Sequence, residues 1–412
     1  MVTRDRASAI STVAVIGAGL AGAACARVLA TRGFQVSLFE RQQQAASAAS
    51  GNPIGILHPL VSADHNLASQ WVEVGVATTL RWLGELKDWT ATAALRPRGG
   101  ELVNVIASGA AEKLVIARPQ SGRGNPRSHR SEIGEQCPVL QLTPDCSALI
   151  HWTHQGAWIR PAKFVRACLA HAQDNGARLV FGKAVCAIHE RPKASGVELA
   201  FSNGDSEFFD AVVLANGQGV NDLLPGHALR LNAIRGTVTA YQISEQHSLP
   251  CIICANGYAT PVIDGEMVVG ASYERIDAHG NIQTDPVRNL ERLATISPLL
   301  ADHCSRATAL DRTSVRIATH DRMPHIGRVL NDQAPLTPNM SQLHHMPRSD
   351  RVWVLAGLGS RGLSFAPLGA EVIADQLAGR TPALNQRLLE RVDPVRFALR
   401  QHQRRAVVPR SC

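Results

Sequence analysis

Residues 12–40 read TVAVIGAGLAGAACARVLATRGFQVSLFE, and this stretch decides the fold. An apolar run (12–17) has the length and β-branched content of a buried strand. A small-residue run (20–31) closed by Gly33 has the make-up of a helix, and a second apolar run (35–40) follows. Strand, helix and strand in succession predict a βαβ unit with parallel strands. Between the first two lies GAGLAG. Gly17 permits a tight strand-to-helix turn, Gly19 lets the backbone approach a pyrophosphate, and Gly22 lets the helix pack closely on the strand. The helix then aims its positive end at the phosphates. Glu40 lies 18 residues past Gly22 at the end of the second strand, where a carboxylate accepts ribose hydroxyls and repels a 2′-phosphate. A dinucleotide is expected, with Gly17, Gly19, Leu20, Gly22, Glu40 and Arg41 around it, and FAD and NAD both satisfy this much.

The rest of the chain is large enough to surround such a cofactor. Its 412 residues suit about two lobes at roughly 100–200 residues each. A hydrophobic share of 45% and a charged share of 18% are those of an ordinary folded protein. The net charge of +8 favours an anionic partner, although an Arg-rich surface without one would look the same. Nine cysteines without a framework spacing fit a reducing cytoplasm. Cys251 and Cys254 form a single CxxC pair in apolar, strand-like surroundings and read as core thiols, so no metal is expected. Arg4 and Arg6 ahead of the apolar run imitate a secretion signal, but the glycine spacing and the second strand argue against cleavage. No run reaches the roughly 18 apolar residues of a membrane span.

Further along, a helix is expected over 67–86 and a loop insertion over 118–135, where Arg118, Arg123, Arg127 and Arg130 suit either a solvated loop or an arm against nucleic acid. Residues 161–175 suit a helix, and FFDAVVLANG (208–217) returns the chain to the nucleotide sheet through Asn216 and Gly217. From 229 to 276 the pattern is strands bounded by turn residues, which predicts a separate antiparallel sheet. The fold class is therefore α/β, a Rossmann-like FAD-binding domain with a second antiparallel-sheet substrate domain. The discontinuous first domain is expected over 10–90, 151–225 and 350–390. The second is expected over 91–150 and 226–335, with a basic C-terminal tail over 391–412.

FAD is preferred over NAD because of GLGSRGLSFAP (357–367), a second glycine turn leading into a helix near the C-terminus. Gly357, Gly359 and Gly362 allow close backbone approach, Pro367 suits a first helical turn, and the helix N-terminus would stabilise negative charge on a reduced flavin. Ser360, Arg361 and Leu363 belong to the same turn.

The loop ASGNPIGILHPL, the segment WIRPAKFVRACLAHAQDNGARLVFGKAV, then IRGTVT, GYATP, VVGASYE, VRIATHDRMPHIG, GLGSRGLSFAPLGAE and DPVRF follow one another in a familiar order. From about Val13 to Phe397 the chain resembles the FAD-dependent oxidoreductase domain of the bacterial bifunctional MnmC enzymes of tRNA wobble-uridine modification, relatives of glycine and D-amino-acid oxidases. The resemblance implies a D-amino-acid oxidase-like fold, FAD as cofactor and tRNA as partner. It also implies a reaction: oxidation of a carboxymethylaminomethyl group on uridine to aminomethyl and glyoxylate. That family usually carries an N-terminal methyltransferase domain, so a separate methyltransferase is an expected consumer of the product. An oxidase of glycine, sarcosine or a similar small amine is the alternative, and an inactive flavin- or tRNA-binding protein a second. Thr237 and Leu358 depart from the family's usual Gln and His.

By the same resemblance Arg316 is the expected carboxylate clamp, since a bidentate guanidinium matches that group. Arg361 is the second candidate, and a structural ion pair with Asp321 or Glu274 is the plainer reading of Arg316. Tyr258 and Tyr273 would close the pocket or serve as packing residues. His58 lies on the loop that faces the flavin in that family. Ser50, Gly51 and Asn52 are expected near phosphate or ribityl oxygens, Gly55 where backbone passes the ring, and Val185 beside adenine.

Overall fold

The structure, a computed structural model, describes residues 10–86 except 61 and 63, 102–103, 152–153, 156–191, 196–249 except 228, 252–276 except 256, 282–283, 288–337 and 340–407. The basic stretch 118–135 lies outside these residues, as do Cys137, Cys146, Cys251 and Cys412.

The first domain grows from β1 (Thr12–Ile16), α1 (Leu20–Thr31) and β2 (Gln35–Glu40), as the sequence predicts. Next come β3 (Gly55–Leu57), α2 (Leu67–Glu85), β4 (Ala157–Ile159), α3 (Pro161–Asp174) and β5 (Arg178–Phe181). A three-stranded antiparallel sheet, β6 (Val185–Arg191), β7 (Gly196–Phe201) and β8 (Ser206–Phe209), precedes β9 (Ala211–Leu214). The second domain contributes β10 (Leu231–Gln242), β11 (Ile253–Ala255), β12 (Gly257–Ala259), β13 (Glu266–Gly270), β14 (Glu274–Ile276) and β15 (Ile282–Gln283). After α4 (Asn289–Ile296), α5 (Pro298–Ser305) and β16 (Ala309–Thr319), the chain returns through β17 (His325–Leu330), β18 (Arg348–Ala356), α6 (Gly362–Leu377), α7 (Gln386–Val392) and α8 (Arg396–Val407).

Six strands form the nucleotide sheet in the order β17-β18-β9-β1-β2-β5, parallel except for the antiparallel edge strand β17. Alternation along β1 sorts its side chains between two cores. Val13 and Val15 meet α1, α2, α3 and α6 on one face, while Ala14 and Ile16 meet Val197, Leu199, Phe201 and Phe209 of the small sheet on the other. Both faces are covered, which is why β1 carries no polar alternation. Helix α1 is buried from Ala21 to Ala30, and its Ala, Gly and Cys side chains let it sit close to the sheet, α3 and α6. Its buried Arg27 pairs with Glu85 at 2.7 Å and lies 4.0 Å over the ring of Trp82.

The second sheet is antiparallel, ordered β11-β12-β13-β10-β14-β15 with β16 also paired to β10. One face packs on α4 and α5, and the other meets the β3–β4 ribbon through Ile54, Ile56 and Trp158.

Three expectations need correction. Strand β17 falls within the span expected for the second domain, yet it pairs with β18 in the nucleotide sheet. Residues 391–407, expected as part of a basic tail, lie largely in α7 and α8, with Arg396 and Phe397 buried. Pro367 sits in the interior of α6 rather than in its first turn. A proline there leaves the carbonyl of Leu363 without its helical donor, and the hydroxyl of Thr79 on α2 donates to that oxygen at 2.7 Å. Gly75 completes the contact: a Cβ at that position would lie 2.0 Å from the Ser364 carbonyl oxygen, so α2 and α6 touch backbone to backbone. Among the described residues no helix is long and apolar enough to cross a membrane.

Candidate active site

The first glycine turn is built to leave no room for side chains. Gly17 has φ +102°, and a Cβ there would meet the Ala215 carbonyl oxygen and the Asn216 Cα at 2.8 Å. At Gly22 a Cβ would stand 1.7 Å from the carbonyl oxygen of Gly17, closer than any real contact. The N-terminus of α1 has no acidic residue in its first turn and no side-chain cap at Gly19. Ser50 Oγ accepts the Leu20 N–H at 3.0 Å and ties the 49–52 loop to the turn. Glu40 holds the turn as well as facing it: its carboxylate accepts the N–H of Ala18 at 2.8 Å and of Gln42 at 2.9 Å. Each oxygen keeps a second lone pair for a ribose hydroxyl.

The two glycine turns adjoin. A Cβ at Gly362 would lie 3.0 Å from Leu20 Cδ1, so the N-termini of α1 and α6 converge, and α6 too has no acid in its first turn. The second turn rests on β16. The Gly359 N–H donates to Ile317 O at 2.8 Å, Leu358 bridges Ala318, and a Cβ at Gly357 would collide with Thr319 Cγ2 at 2.7 Å. Beside the first turn, Asn216 Oδ1 is buried with no partner, which calls for a ligand donor. A turn packed so closely on its own backbone that no Cβ fits, two converging helix ends without acids in their first turns and an acceptor left without a partner among the described residues together fit an FAD molecule.

Other expected contacts are placed as follows. Asn52 Oδ1 accepts from Ser314 Oγ at 3.2 Å, and Gly51 makes way for Arg312, whose Nη2 would be 2.5 Å from a Cβ there. Gly55 makes way for Leu363 Cδ1 and Pro161 Cγ, at 2.8 and 3.1 Å from the same construction. Val185 opens β6, Gly217 has φ +60°, and Arg41 is exposed.

Arg316, on β16, is buried at 8% exposure. Neither carboxylate offered as a structural partner is used: Glu274 pairs with Arg235, and Asp321 with Arg396, Arg391 and Arg400. The Arg316 guanidinium instead lies 5.0 Å from the centroid of the Tyr273 ring. Tyr273, half exposed, carries its hydroxyl to within 3.2 Å of Ser360 Oγ on the glycine turn. Arg361 shares this environment. Burial lowers its pKa, the neighbouring Tyr273 and Cys254 oppose that shift, and the positive charge of Arg322 adds to it. Burial and the charge of Arg361 push the His58 imidazole down to about 4, while its Nδ1 meets the Pro59 carbonyl at 2.8 Å. Burial raises the Tyr258 hydroxyl, against the opposing pull of Arg316, and takes the Cys254 thiol up to about 12. All five candidates, Arg316, Arg361, Tyr273, Tyr258 and His58, thus belong to one neighbourhood. Thr237 turns aside to Thr313, hydroxyl to hydroxyl at 2.8 Å, and Leu358 packs against the nucleotide-domain core.

Sequence reasoning missed Gly236. On β10 it faces the guanidinium, and a Cβ would lie 2.5 Å from Arg316 Nη2 and 2.8 Å from the Ser272 carbonyl oxygen. The Arg-Gly of IRGTVT therefore clears space for Arg316, a relation between adjacent strands invisible in linear order. Gly236→Ala should leave the protein folded and yellow while displacing the guanidinium. Because misplacement by about 1 Å can cost about a hundredfold, kcat/KM should fall by about tenfold to a hundredfold. Steady-state kinetics within twofold of wild type would refute this.

The arrangement fits an FAD-dependent oxidoreductase, and the comparisons agree. Residues 12–376 match the model of the FAD dependent oxidoreductase family, and the chain belongs to that family. It is an FAD-dependent oxidoreductase, with FAD as its cofactor. Among curated proteins it is similar to the tRNA 5-methylaminomethyl-2-thiouridine biosynthesis bifunctional protein MnmC of Paraburkholderia phytofirmans, 33% identical over 95% of this chain and 60% of that protein. The MnmC of Burkholderia thailandensis is 31% identical over 95% of this chain and 60% of its own length. The chain thus spans about three-fifths of the length of these relatives. Among solved structures, glycine oxidase from Geobacillus kaustophilus superposes with a TM-score of 0.69 at 19% identity, covering 93% of this chain and 98% of that one. Iminodiacetate oxidase from Chelativorans sp. BNC1 gives 0.67 at 20% identity, covering 93% and 98%. These two likenesses establish the shared fold.

Proposed function

We propose that this protein oxidises the carboxymethylaminomethyl group of a wobble uridine in tRNA, leaving aminomethyl-uridine and releasing glyoxylate. The observation that carries the reading is Arg316, a buried guanidinium with no ion pair among the described residues. An unpaired buried charge is costly, and the carboxylate of a glycine-like unit offsets it with a two-pronged hydrogen bond. Similarity to the MnmC proteins over 95% of the chain supports a uridine carrier for that unit.

Arg316 holds the carboxylate, and the Tyr273 ring caps the guanidinium from the solvent side. The half-buried His58 is neutral across the physiological range. With Nδ1–H donating to Pro59, its Nε2 is free to accept an N–H of the bound amine. When bound, FAD supplies the acceptor for the two electrons and the hydrogen that leave the methylene between nitrogen and carboxylate. The resulting carbon–nitrogen double bond takes up water and breaks into glyoxylate and the primary amine. Gly17, Gly19, Leu20, Gly22, Glu40, Ser50 and Asn216 would hold the dinucleotide end of the cofactor, and the turn 357–363 would lie beside its ring.

Anaerobic mixing of the FAD-loaded protein with tRNA bearing this group should bleach the flavin. Bleaching by sarcosine or glycine but never by the modified tRNA would reject the proposal and select a small-amine oxidase, the reading favoured by the glycine and iminodiacetate oxidase folds.

Stability in acid follows from two histidines kept neutral. His325 is fully buried, its Nε2 lies 2.6 Å from Leu229 O, and its Nδ1 accepts from Arg396 at 3.0 Å. Burial and the Arg396 charge lower its pKa to about 3. The unfolded chain takes up this proton near 6.5, so stability is at its full value above that pH and declines as pH falls from 6.5 towards 3. The slope is at most about 1.4 kcal/mol per pH unit for His325, and His58 acts in the same direction down to about 4. The unfolding temperature should drop between pH 7 and pH 5; a flat profile there would contradict it.

A further inference from the structure

Helices α7 and α8 line a groove outside the active site, its polar side made by Arg387, Glu390, Arg391, Arg396, Arg400 and Gln403. Behind it stands Asp321, approached by three guanidiniums: Arg396 at 2.9 Å, Arg391 at 3.5 Å and Arg400 at 3.8 Å. Arg396 donates to both carboxylate oxygens, the Thr319 hydroxyl and Met323 N–H add to Oδ1, and Arg391 and Arg400 make no hydrogen bond to them. Arg387 has no ion pair among the described residues. Four guanidiniums against the carboxylates of Asp321 and Glu390 leave two positive charges in surplus. Arg387 and Arg391 lie four residues apart on α7, as do Arg396, Arg400 and Arg404 on α8. Like charges at that spacing weaken a helix; Arg396 is buried in the fold, but the more exposed members of the pattern, Arg387, Arg391 and Arg400, add charge that the helices themselves do not need. The loop that supplies Asp321 leaves the end of β16 at Thr319, whose Cγ2 lies against Gly357 of the active-site turn.

We propose that this groove binds the phosphodiester backbone of the RNA whose modified base enters the active site. The inference rests on the tRNA reading above. The test uses the FAD-loaded full chain and an unmodified tRNA transcript, with binding followed by fluorescence anisotropy across a salt series. Arg391→Gln with Arg400→Gln should weaken binding about tenfold near 0.1 M salt and flatten the log–log salt slope by about 1–2, one phosphate contact per arginine. Reduction by sarcosine should be unchanged. Glu390→Gln should act oppositely, tightening binding a few-fold, and it decides the matter where the double variant does not fold. Unaltered affinity and slope in either variant would overturn the groove, as would competition by polyglutamate equal to that by RNA, which would assign the groove to an acidic protein. Flavin bleaching by modified tRNA with binding unaffected by both variants removes the groove alone. Absence of bleaching while the double variant still loses tRNA removes the oxidase reading alone.

Discussion

Arg316→Ala should lower kcat/KM for the amine substrate by about a thousandfold while the protein remains yellow. Truncating one partner of a buried charge pair costs about 2–5 kcal/mol, and about 4 kcal/mol corresponds to a factor of a thousand. The cofactor should be kept, because the cradle is built by Gly17, Gly22, Glu40 and Asn216, none of which touches the guanidinium. Stability should move the other way or not at all: in the ligand-free protein the variant removes a buried charge that no carboxylate among the described residues balances. Arg316→Lys keeps the charge and loses the fork, so its turnover should lie between wild type and alanine. Activity of the alanine variant within threefold of wild type, with flavin bound, would remove Arg316 from the site.

Arg396→Met should cost about 3–5 kcal/mol of stability, the penalty for leaving a buried carboxylate without its partner. Only 3% of this side chain is exposed, and it spends its whole fork. Nε and Nη2 hold Asp321 at 3.0 and 2.9 Å, Nη2 donates to Met323 O at 2.7 Å, and Nη1 serves Pro324 O, His325 Nδ1 and Asp393 O. Burial raises the Asp321 pKa, but Arg396 outweighs it and brings the group to about 2; without Arg396 the carboxylate would keep the Thr319 hydroxyl at 3.1 Å, the Met323 N–H at 3.3 Å and, of its cationic partners, only the longer contacts to Arg391 and Arg400. Adding Asp321→Asn to Arg396→Met should recover part of the loss by removing the stranded charge, which a double-mutant cycle in urea would read as positive coupling. Additive losses would mean that the pair is not a unit.

These two arginines mark how far the sequence could be read. The βαβ fingerprint is legible because every contact in it is local: Gly17, Gly22 and Glu40 lie within one supersecondary unit, and a short apolar strand beside a small-residue helix has few other solutions. The pocket residues are legible as residue types in motif order. Their company is not. That Gly236 empties the space occupied by Arg316 depends on the register of β10 against β16, where Gly236 stands beside Ser314. That Arg396 satisfies the 321–325 loop depends on a helix 75 residues later in the chain folding back on it. The misreading of Pro367 has a similar source. The carbonyl it orphans is served by Thr79, 284 residues away, and no local rule anticipates a proline whose defect is repaired from such a distance. Strand β17 was hidden because its apolar run looks like those of the antiparallel lobe before it.

The order of strands in the nucleotide sheet also fixes when the site can exist during synthesis. Strand β1, made first, finishes between β2, its near neighbour in the chain, and β9, which emerges about two hundred residues later. The first cradle, Gly17 against Asn216, can therefore close once the ribosome has passed β9. The second turn and its seat on β16 must wait for residues 309–362, and the Arg396 clamp for later ones still. A nascent chain could thus grip the adenine half of its cofactor long before it can present the reactive half to anything, and the oxidising site assembles last.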